Sequence, residues 1–387
     1  MRRAYTLKDI APAVAATELD NDGEVWLLNL EHVESHTGRL LEKKMVPTSA
    51  VGSSTHAFDA GNVLYSKLRP YLNKVYLPEE YGCCTSEFVP LRPHIELVTR
   101  EYLAAYLRSE RFLSWIRNQV AGAKMPRVSM KAFWGHSIEL PSLAEQSRIT
   151  RILNKVESAR HKRLQAIHEA DKFLRAVFLE MFGDSVANSM GWDDTAYLES
   201  VADVISGVTK GRKLGKVGTR EVPYLSVSNV QDRYLDLSFV KRIAATEAEI
   251  QRYRLQENDL LLTEGGDPDK LGRGTLWRGE ISECIHQNHV FRVRLTSARL
   301  HPVYLNWLVG SRRGKQYFLA AAKQTTGIAS INMRQLKNFP LLIPPLDLQL
   351  QFVLIVEGVS KMIERQQAGL RDIEYVTRSL GRKIFFN

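Results

Sequence analysis

Catalytic chemistry needs particular residue types at fixed spacings, and this sequence does not supply them. The proline pair in Ile343-Pro344-Pro345-Leu346 lacks the Asn or Asp with which adenine methyltransferases hold a flipped base. Glu42-x-Lys44 is the one Glu-x-Lys string, and no convincing Asp precedes it on a predicted strand, as a metal-dependent nuclease requires. Gly265-Gly266 lacks the Lys-Ser/Thr ending of a phosphate-binding loop. The sequence therefore predicts a protein without catalytic activity and without a cofactor.

Metal binding is equally unsupported by the residues that could act as ligands. Cys83 and Cys84 are adjacent and Cys284 is isolated, so no Cys-x-x-Cys spacing exists for zinc or for a redox cycle. His286 and His289 have no cysteine or third histidine nearby, a pattern more typical of core or surface residues. We therefore predict no metal site, and buried, apolar roles for the cysteines.

The charge balance favours a polyanionic partner. Lys and Arg number 53 against 43 Asp and Glu, which gives a net charge of +10 and a pI near 9.4. Such a surplus attracts nucleic acid, although many basic proteins bind nothing acidic. Because no apolar run reaches roughly 18 residues and the first residues lack a secretory pattern, we expect a cytoplasmic protein without a membrane partner.

The two halves of the chain repeat each other. Residues 140–146 read Leu-Pro-Ser-Leu-Ala-Glu-Gln, and residues 343–349 read Ile-Pro-Pro-Leu-Asp-Leu-Gln. Further landmarks align in the same order: Ser129-Met130-Lys131 with Asn332-Met333-Arg334, Tyr102-Leu103 with Tyr304-Leu305, Phe88-Val89-Pro90-Leu91 with Val290-Phe291-Arg292-Val293, and Asn62-Val63-Leu64 with Asp259-Leu260-Leu261. Each half opens with short β-branched and apolar runs and later shows a helical period, so we predict two mixed domains of strands and helices.

Each half ends in a segment that is free to form a long helix. No proline occurs from Ser142 to Val222 or from Leu346 to Asn387, and apolar residues recur there every three or four positions. Gly183 follows the last apolar residue of the first stripe, as a helix C-cap does. Such a stripe can pack on its own domain, but two equivalent stripes are both hidden if they pair antiparallel.

The predicted fold class is therefore α+β. We expect two mixed α/β globular domains separated by two long antiparallel helices, which form a coiled coil within a pseudo-twofold internal repeat. The predicted segments are 1–143 for the first domain, 144–183 for the first helix, 184–344 for the second domain and 345–387 for the second helix.

The helix starts resemble a motif of a known family. Leu140-Pro141-Ser142-Leu143-Ala144-Glu145-Gln146, followed by Ile149, resembles the Pro-Pro-Leu-x-Glu-Gln-x-x-Ile signature that opens the conserved helices of type I restriction-modification specificity (S) subunits. The second copy keeps both prolines but has Leu348 in place of Glu. The segment 66–74 is similar to a loop in the first recognition domain of that family.

The resemblance implies a DNA-binding subunit with two target recognition domains and two conserved helices. It implies a bipartite double-stranded target with one half-site for each domain. It also implies partners: two methyltransferase (M) subunits held by the coiled coil, and restriction (R) subunits for cleavage. The alternative function is a standalone coiled-coil scaffold or RNA-binding adaptor, which a scattered 9% aromatic content does not favour.

Basic residues beside glycines and in loops are the candidates for DNA contact, because Lys and Arg bind phosphates and a few side chains read base edges. Each residue alone is more typical of a solvated surface charge, and the set is the stronger prediction. In the first domain the candidates are Lys43, Lys44, Lys67, Arg69, Lys74, Lys124 and Arg127. In the second they are Lys210, Arg212, Lys213, Lys270, Arg273, Lys323 and Gln324.

Overall fold

The computed structural model describes residues 3–17, 23–122, 124–213, 218–267, 270–325 and 328–385, without the side chains of Gln324, Thr325 and Ile328. The chain divides into two compact units. Unit 1 comprises Met1–Gln165 and Gln366–Asn387, and unit 2 comprises Ala166–Arg365. Both units mix strands and helices, in agreement with the predicted α+β class.

Unit 1 is built on short strands with a few helices between them. Its strands are β1 (Arg3–Thr6), β2 (Glu24–Leu28), β3 (Met45–Pro47), β4 (Thr55–Phe58), β5 (Val63–Ser66), β6 (Val75–Tyr76), β7 (Gly82–Thr85), β8 (Phe88–Leu91), β9 (Val120–Ala121), β10 (Arg127–Val128) and β11 (Ser137–Leu140). Its short helices are α1 (Leu7–Ile10), α2 (Arg100–Leu107), α3 (Glu110–Ile116) and α4 (Met130–Trp134), with 3₁₀ turns at Leu30–His32, Thr48–Ala50 and Pro70–Leu72.

The core of unit 1 lies on both faces of strand β5. One sheet has the order β3-β2-β7-β4, with β2 and β7 parallel, and a second has the order β6-β5-β8. Val63 and Tyr65 belong to the cluster beneath α2 and α3, whereas Leu64 belongs to a second cluster with Trp26 and Phe58. A strand buried on both faces needs a continuous apolar run, which explains the sequence of β5.

A long helix, α5 (Leu143–Phe182), follows β11, and the other elements of unit 2 come after this helix in the chain. The strands of unit 2 are β12 (Ala202–Ser206), β13 (Arg220–Leu225), β14 (Lys241–Ala245), β15 (Leu260–Thr263), β16 (Gly265–Gly266), β17 (Gly274–Leu276), β18 (Ile285–His286), β19 (Val290–Leu295), β20 (Lys323–Thr325) and β21 (Ile328–Ser330). Its helices are α6 (Glu247–Tyr253), α7 (Pro302–Val309), α8 (Arg312–Ala321) and α9 (Met333–Lys337), with a 3₁₀ turn at Leu198–Ser200. The last helix is α10 (Leu346–Phe385).

The elements of unit 2 repeat those of unit 1. Strand β15 is the counterpart of β5, because Leu260 and Leu262 enter one core cluster and Leu261 enters another. The aligned residues Ser129 and Asn332 are both N-caps, whose side chains accept hydrogen bonds from backbone N–H groups in the first turns of α4 and α9. The aligned sequence positions thus have equivalent structural roles.

The first long helix ends at the glycine that the sequence offers as its C-cap. Helix α5 ends at Phe182, and Gly183 follows with φ +73°, a conformation that favours glycine at a helix C-terminus.

Within unit 1, the Arg163 guanidinium on α5 donates to the Gln366 side chain on α10 over 2.8 Å. Phe385, near the end of α10, shares a cluster with Ile149 near the start of α5. These two segments therefore run antiparallel in unit 1.

In unit 2, the end of α5 packs against the start of α10. The rings of Phe178 and Phe182 lie 5.5 and 5.4 Å from that of Phe352. Each compact unit therefore includes part of both helices, whereas the predicted segments give each helix a range of its own, and those segment boundaries stay a prediction. Among the described helices, none combines the length and apolarity needed to cross a bilayer.

A buried glutamine joins each long helix to its unit. The Gln146 side chain is fully buried, and its Nε2 donates to the carbonyls of Leu97 (2.9 Å) and Pro141 (3.0 Å). Its Oε1 accepts from the backbone N–H of Thr99, the N-cap of α2, over 2.9 Å. One side chain thus satisfies three backbone groups beneath α2. We call this side chain the first clamp glutamine.

The second clamp glutamine is Gln349, at the equivalent place in α10. Its Nε2 donates to the carbonyls of Arg299 (2.9 Å) and Pro344 (2.8 Å), and its Oε1 accepts from the N–H of His301 (2.8 Å). His301 is the N-cap of α7. The same three bonds therefore hold the start of both long helices against their units. The repeated segments 140–146 and 343–349 thus join each long helix to its unit through the glutamine at their last position.

Replacing Gln146 by Leu should destabilise the protein by roughly 2–4 kcal/mol, since buried backbone groups lose their partners without access to water. Urea unfolding followed by circular dichroism measures the change. Gln165→Leu, an exposed position on the same helix, is the matched control and should change stability little. Equal effects of the two substitutions would show that the clamp bonds do not stabilise unit 1.

Candidate nucleic-acid interface

Two segments that are distant in sequence bring four predicted cations together in unit 1. The backbone N–H of Arg69 donates to the Pro126 carbonyl over 2.8 Å, and the N–H of Val128 donates to the Lys67 carbonyl over 2.9 Å. The loop after β5 therefore lies beside the β9–β10 hairpin. We call Lys67, Arg69, Lys124 and Arg127 the first basic surface.

The cations of the first basic surface differ in their availability. Arg127 forms a bidentate pair with Glu87, with Nη2–Oε1 at 2.6 Å, and this pairing raises the pKa of the Arg127 guanidinium. Lys67, Arg69 and Lys124 form no ion pair with any residue in the described parts of the chain. Arg69 is exposed and adopts a left-handed conformation with φ +48°. Lys67, Arg69 and Lys124 are therefore available for phosphates.

Unit 2 presents an equivalent arrangement. Strand β21 pairs with β16, which follows β15, and with β20 on its other side. A β-carbon at Gly265 would lie 2.9 Å from the Ala329 carbonyl oxygen, so this close approach requires glycine. The loop that leaves β16 carries Lys270 and Arg273, and β20 begins at Lys323. We call these three cations the second basic surface.

Two cations of the second basic surface contact neighbouring polar side chains. Lys270 forms an ion pair with Asp267, and the Arg273 guanidinium donates to Gln231 Oε1 over 3.0 Å. Lys323 is exposed. The predicted residue Gln324 lies in β20, but its side chain is outside the described part of the chain. Because exposed ion pairs are weak, Lys270 can exchange its contact for a phosphate, whereas Arg273 is half-buried.

Three other predicted cations of unit 1 belong to different surroundings. Lys43 pairs with Glu80 over 2.7 Å and lies above the Trp26 ring, whereas Lys44 is exposed. Lys74 donates from Nζ to the Leu30 carbonyl over 2.7 Å, and burial lowers the pKa of its ammonium group. Lys74 thus has a structural partner inside unit 1, while Lys44 remains free of intramolecular ion pairs within the described residues.

Among the predicted DNA contacts, the Arg212 side chain forms the largest number of hydrogen bonds within the described part of the protein. Its Nε and Nη2 donate to both oxygens of Glu249 at 2.6 and 2.7 Å, and its Nη2 also donates to the Ala244 carbonyl. The side chains of Arg212 and Glu249 are 19% and 25% exposed. Hydrogen bonds from Arg212 lower the pKa of Glu249 to about 2. Arg212 therefore anchors its loop to α6, while its neighbours Lys210 and Lys213 are exposed.

Two carboxylates on these surfaces were missed by sequence reasoning, which considered cations. Glu87 accepts from Arg127, and its carbonyl accepts from the Lys67 N–H over 3.0 Å. In unit 2, Glu264 is the counterpart of Lys67 and His289 is the counterpart of Glu87: Glu264 contacts the His289 ring and donates its N–H to the His289 carbonyl over 3.0 Å. The sequence signal that could have identified them is position, since Glu87 directly precedes the aligned strand β8 and Glu264 directly follows the aligned strand β15. A carboxylate among cations can accept from base amino groups.

The residues considered as metal ligands occupy other roles. His286 is fully buried, its Nδ1 lies 2.7 Å from the Val290 carbonyl oxygen, and burial lowers the pKa of its ring to about 4. Cys84 and Cys284 are buried, which raises the pKa of each thiol to about 12. Both the buried histidine and these two cysteines therefore have the character of core residues.

Comparison with known proteins gives a match to a family model over residues 6–169, described as the type I restriction modification DNA specificity domain. The chain is 24% identical over 313 residues to the type I restriction enzyme StySPI specificity subunit of Salmonella potsdam. It is 25% identical over 317 residues to the EcoKI specificity subunit of Escherichia coli. Each alignment covers 76% of this chain and 66% of the relative, so the chain spans just under two thirds of their length.

Solved structures show the same fold. The type I restriction-modification system S subunit from M. genitalium has a TM-score of 0.59 and 12% sequence identity, with 100% of this chain and 96% of that chain covered. A chain from a structure of complex assembly and conformational transition of the type I R-M system has a TM-score of 0.54 and 17% identity, covering 99% and 97%. At these identities, the similarity lies in the arrangement of strands and helices, that is, in the fold.

The Arg212–Glu249 pair should give unit 2 a measurable acid dependence. Because the folded pKa of Glu249 lies below its ordinary value of 4.5, the stabilisation is complete above that pH and is lost as the pH falls towards 2. Glu249→Gln should cost about 1–2 kcal/mol at pH 7 and less at pH 3. Urea unfolding at both values measures this. Glu257→Gln, an exposed control, should give no such pH-dependent difference.

Proposed function

We propose that this chain, whose residues 6–169 match the model of the type I restriction modification DNA specificity domain, is the DNA-reading subunit of a type I complex. In this role it binds a bipartite double-stranded target, with one half-site for each unit. It has no catalytic activity of its own and supplies sequence recognition. The observation that carries the proposal is the repeated surface, in which a loop and a hairpin bring cations together in both units.

The two basic surfaces have the chemistry that DNA binding requires. Lys67, Arg69 and Lys124 bind phosphates in unit 1, and Lys270, Arg273 and Lys323 do so in unit 2. Glu87 and Glu264 stand among these cations and accept hydrogen bonds from base amino groups, which phosphates cannot offer. Arg127 belongs to the first basic surface but is paired with Glu87. The other predicted contacts, which are not among the cations of the two basic surfaces, remain candidates: Lys43, Lys44, Lys74, Lys210, Arg212, Lys213 and Gln324.

The long helices supply the spacing between the two recognition domains in this proposal. Helices α5 and α10 each contain 40 residues, which corresponds to about 60 Å at 1.5 Å per residue. An antiparallel coiled coil of segments 144–183 and 345–387 then separates recognition domains at 1–143 and 184–344. The antiparallel contacts of α5 and α10 in unit 1 support this layout.

The relatives define the proposed partners. The matched proteins are specificity subunits of type I restriction enzymes. We therefore propose that two methyltransferase subunits bind the coiled coil in the cytoplasm, that they modify the DNA that this chain selects, and that restriction subunits join for cleavage. Copurification with a methyltransferase subunit is the direct test of this assignment.

Removing two cations from the first basic surface should weaken duplex binding and its dependence on salt. Lys67→Ala combined with Arg69→Ala should make the negative slope of log K against log salt shallower by about 2, since each phosphate contact contributes about −0.9 to that slope. Gel-shift titrations at several salt concentrations, on duplex and single-stranded DNA, measure this slope. Lys155→Ala with Lys162→Ala, on exposed positions of α5, is the charge-matched control. An unchanged slope in the loop variant removes Lys67 and Arg69 from the interface.

Exchanging one recognition domain should change one half of the target. If residues 184–344 are replaced by the equivalent segment of another specificity subunit, methylation mapping in cells that also express the methyltransferase should show one altered half-site and one unchanged. Each unit has its own core clusters, so the exchange leaves unit 1 intact. A motif that changes in both halves, or a continuous motif, would contradict independent reading by the two units.

A further inference from the structure

Unit 1 contains a cavity that the proposed DNA-reading role does not use. Its volume is about 960 Å³, and it lies where α2 and α3 face the start of α5 and the end of α10. Ala105, Leu153, Thr377, Gly381 and Phe385 line its inner wall. Ligand sites commonly measure roughly 300–1,000 Å³ and combine an apolar wall with a few polar groups. The cavity therefore has the dimensions of a ligand site.

The equivalent region of unit 2 is filled by aromatic side chains. Phe178 on α5 lies 5.9 Å from the Tyr304 ring and 6.0 Å from the Trp307 ring, both on α7. Trp307 also packs against Phe352 at 5.4 Å, and the Arg233 guanidinium covers its other side at 3.7 Å. These rings pack together in one buried cluster. Unit 2 therefore shows that aromatic rings fit the place in the fold where unit 1 has its cavity.

The repeat identifies the residues whose small size leaves unit 1 open. Phe178 stands 32 positions after the first clamp glutamine, and Gly381 stands 32 positions after the second. Trp307 is the third residue after Tyr304, and its counterpart Ala105 is the third after Tyr102. A β-carbon added at Gly381 would meet no atom within 4 Å. Two aromatic side chains of unit 2 are thus replaced by the smallest residues in unit 1.

The rim of the cavity carries available positive charge. Arg378, Arg382 and Lys383 are exposed and form no ion pair with other described residues. Three acidic residues also line the cavity. Glu110 pairs with Arg117 at 3.7 Å and Glu157 pairs with Arg160 at 3.2 Å, whereas Glu101 forms no ion pair with other described residues. Three unpaired cations therefore face one unpaired carboxylate, so the rim favours an anionic group.

We propose that this cavity, bounded by Ala105 and Gly381, is a binding site for a small aromatic anion. The ring of the ligand occupies the place that Phe178 and Trp307 fill in unit 2 and packs against Phe385 and Leu153. Its negative group lies at the rim beside Arg378 and Arg382. Apolar burial supplies most of the affinity, and the guanidinium groups supply the preference for an anion.

A fluorescent aromatic anion, 1-anilinonaphthalene-8-sulfonate, tests the site on the 387-residue chain. We expect saturable binding of one molecule, and Gly381→Phe should weaken it at least tenfold because the new ring fills the cavity. Gly358→Phe is the matched control: it places the same change on α10 at an exposed position where a β-carbon also meets no atom within 4 Å. Circular dichroism and thermal unfolding confirm that both variants fold. Equal binding to the two variants overturns the proposal.

Two further measurements keep the test decisive. Ala105→Trp fills the cavity from α2 and should weaken binding of the probe as Gly381→Phe does. Because the two substitutions lie on different helices, a folding defect in one of them leaves the other as a test. Indole-3-acetate should displace the probe at least tenfold better than tryptamine, which presents the same ring with a positive charge. No saturable binding to the unmodified chain, or equal displacement by both compounds, overturns the assignment of an aromatic anion site.

Discussion

A buried glutamine at the start of each long helix holds that helix against its unit, and the equivalence of the two units rests on this pair of junctions. Gln146 and Gln349 each satisfy three backbone groups, two of them carbonyls, at the place where a short helix begins inside the unit. In a site without water, an unpaired backbone group is costly, so the long helix can begin in one register. Because the clamp occurs twice, it defines equivalent positions in both units.

On this repeated framework, the two units differ in their exposed charges. The loop after β5 and the hairpin after α3 have counterparts in unit 2, yet Lys67 in unit 1 corresponds to Glu264 in unit 2. A framework that conserves backbone geometry while changing side-chain charge suits a protein whose two halves read different base sequences, since backbone contacts position the protein and side chains specify the bases. In the proposed DNA-reading role, the repeat would provide position, and its departures would provide selectivity.

The two units also differ in their interiors. Gly381 and Ala105 of unit 1 stand at the positions that Phe178 and Trp307 occupy in unit 2. A close-packed core tolerates few voids, because lost van der Waals contacts and hydrophobic burial destabilise the fold. The cavity beside Phe385 is therefore a position where unit 1 lacks packing that unit 2 has. This difference is informative because the two sites share one fold.

The order of residues alone determined the duplication, the two long helices and the type of core strand. Each of these follows from a local rule: proline-free apolar stripes form helices, continuous apolar runs form strands buried on both faces, and Gly183 ends a helix. The tertiary structure decided which charges remain available. Arg212 is paired with Glu249, Arg127 with Glu87, and Lys74 with a backbone carbonyl, whereas Lys67 and Arg69 are unpaired among the described residues. These partners lie far apart in the chain, and only folding brings them within the few ångströms over which hydrogen bonds and ion pairs form.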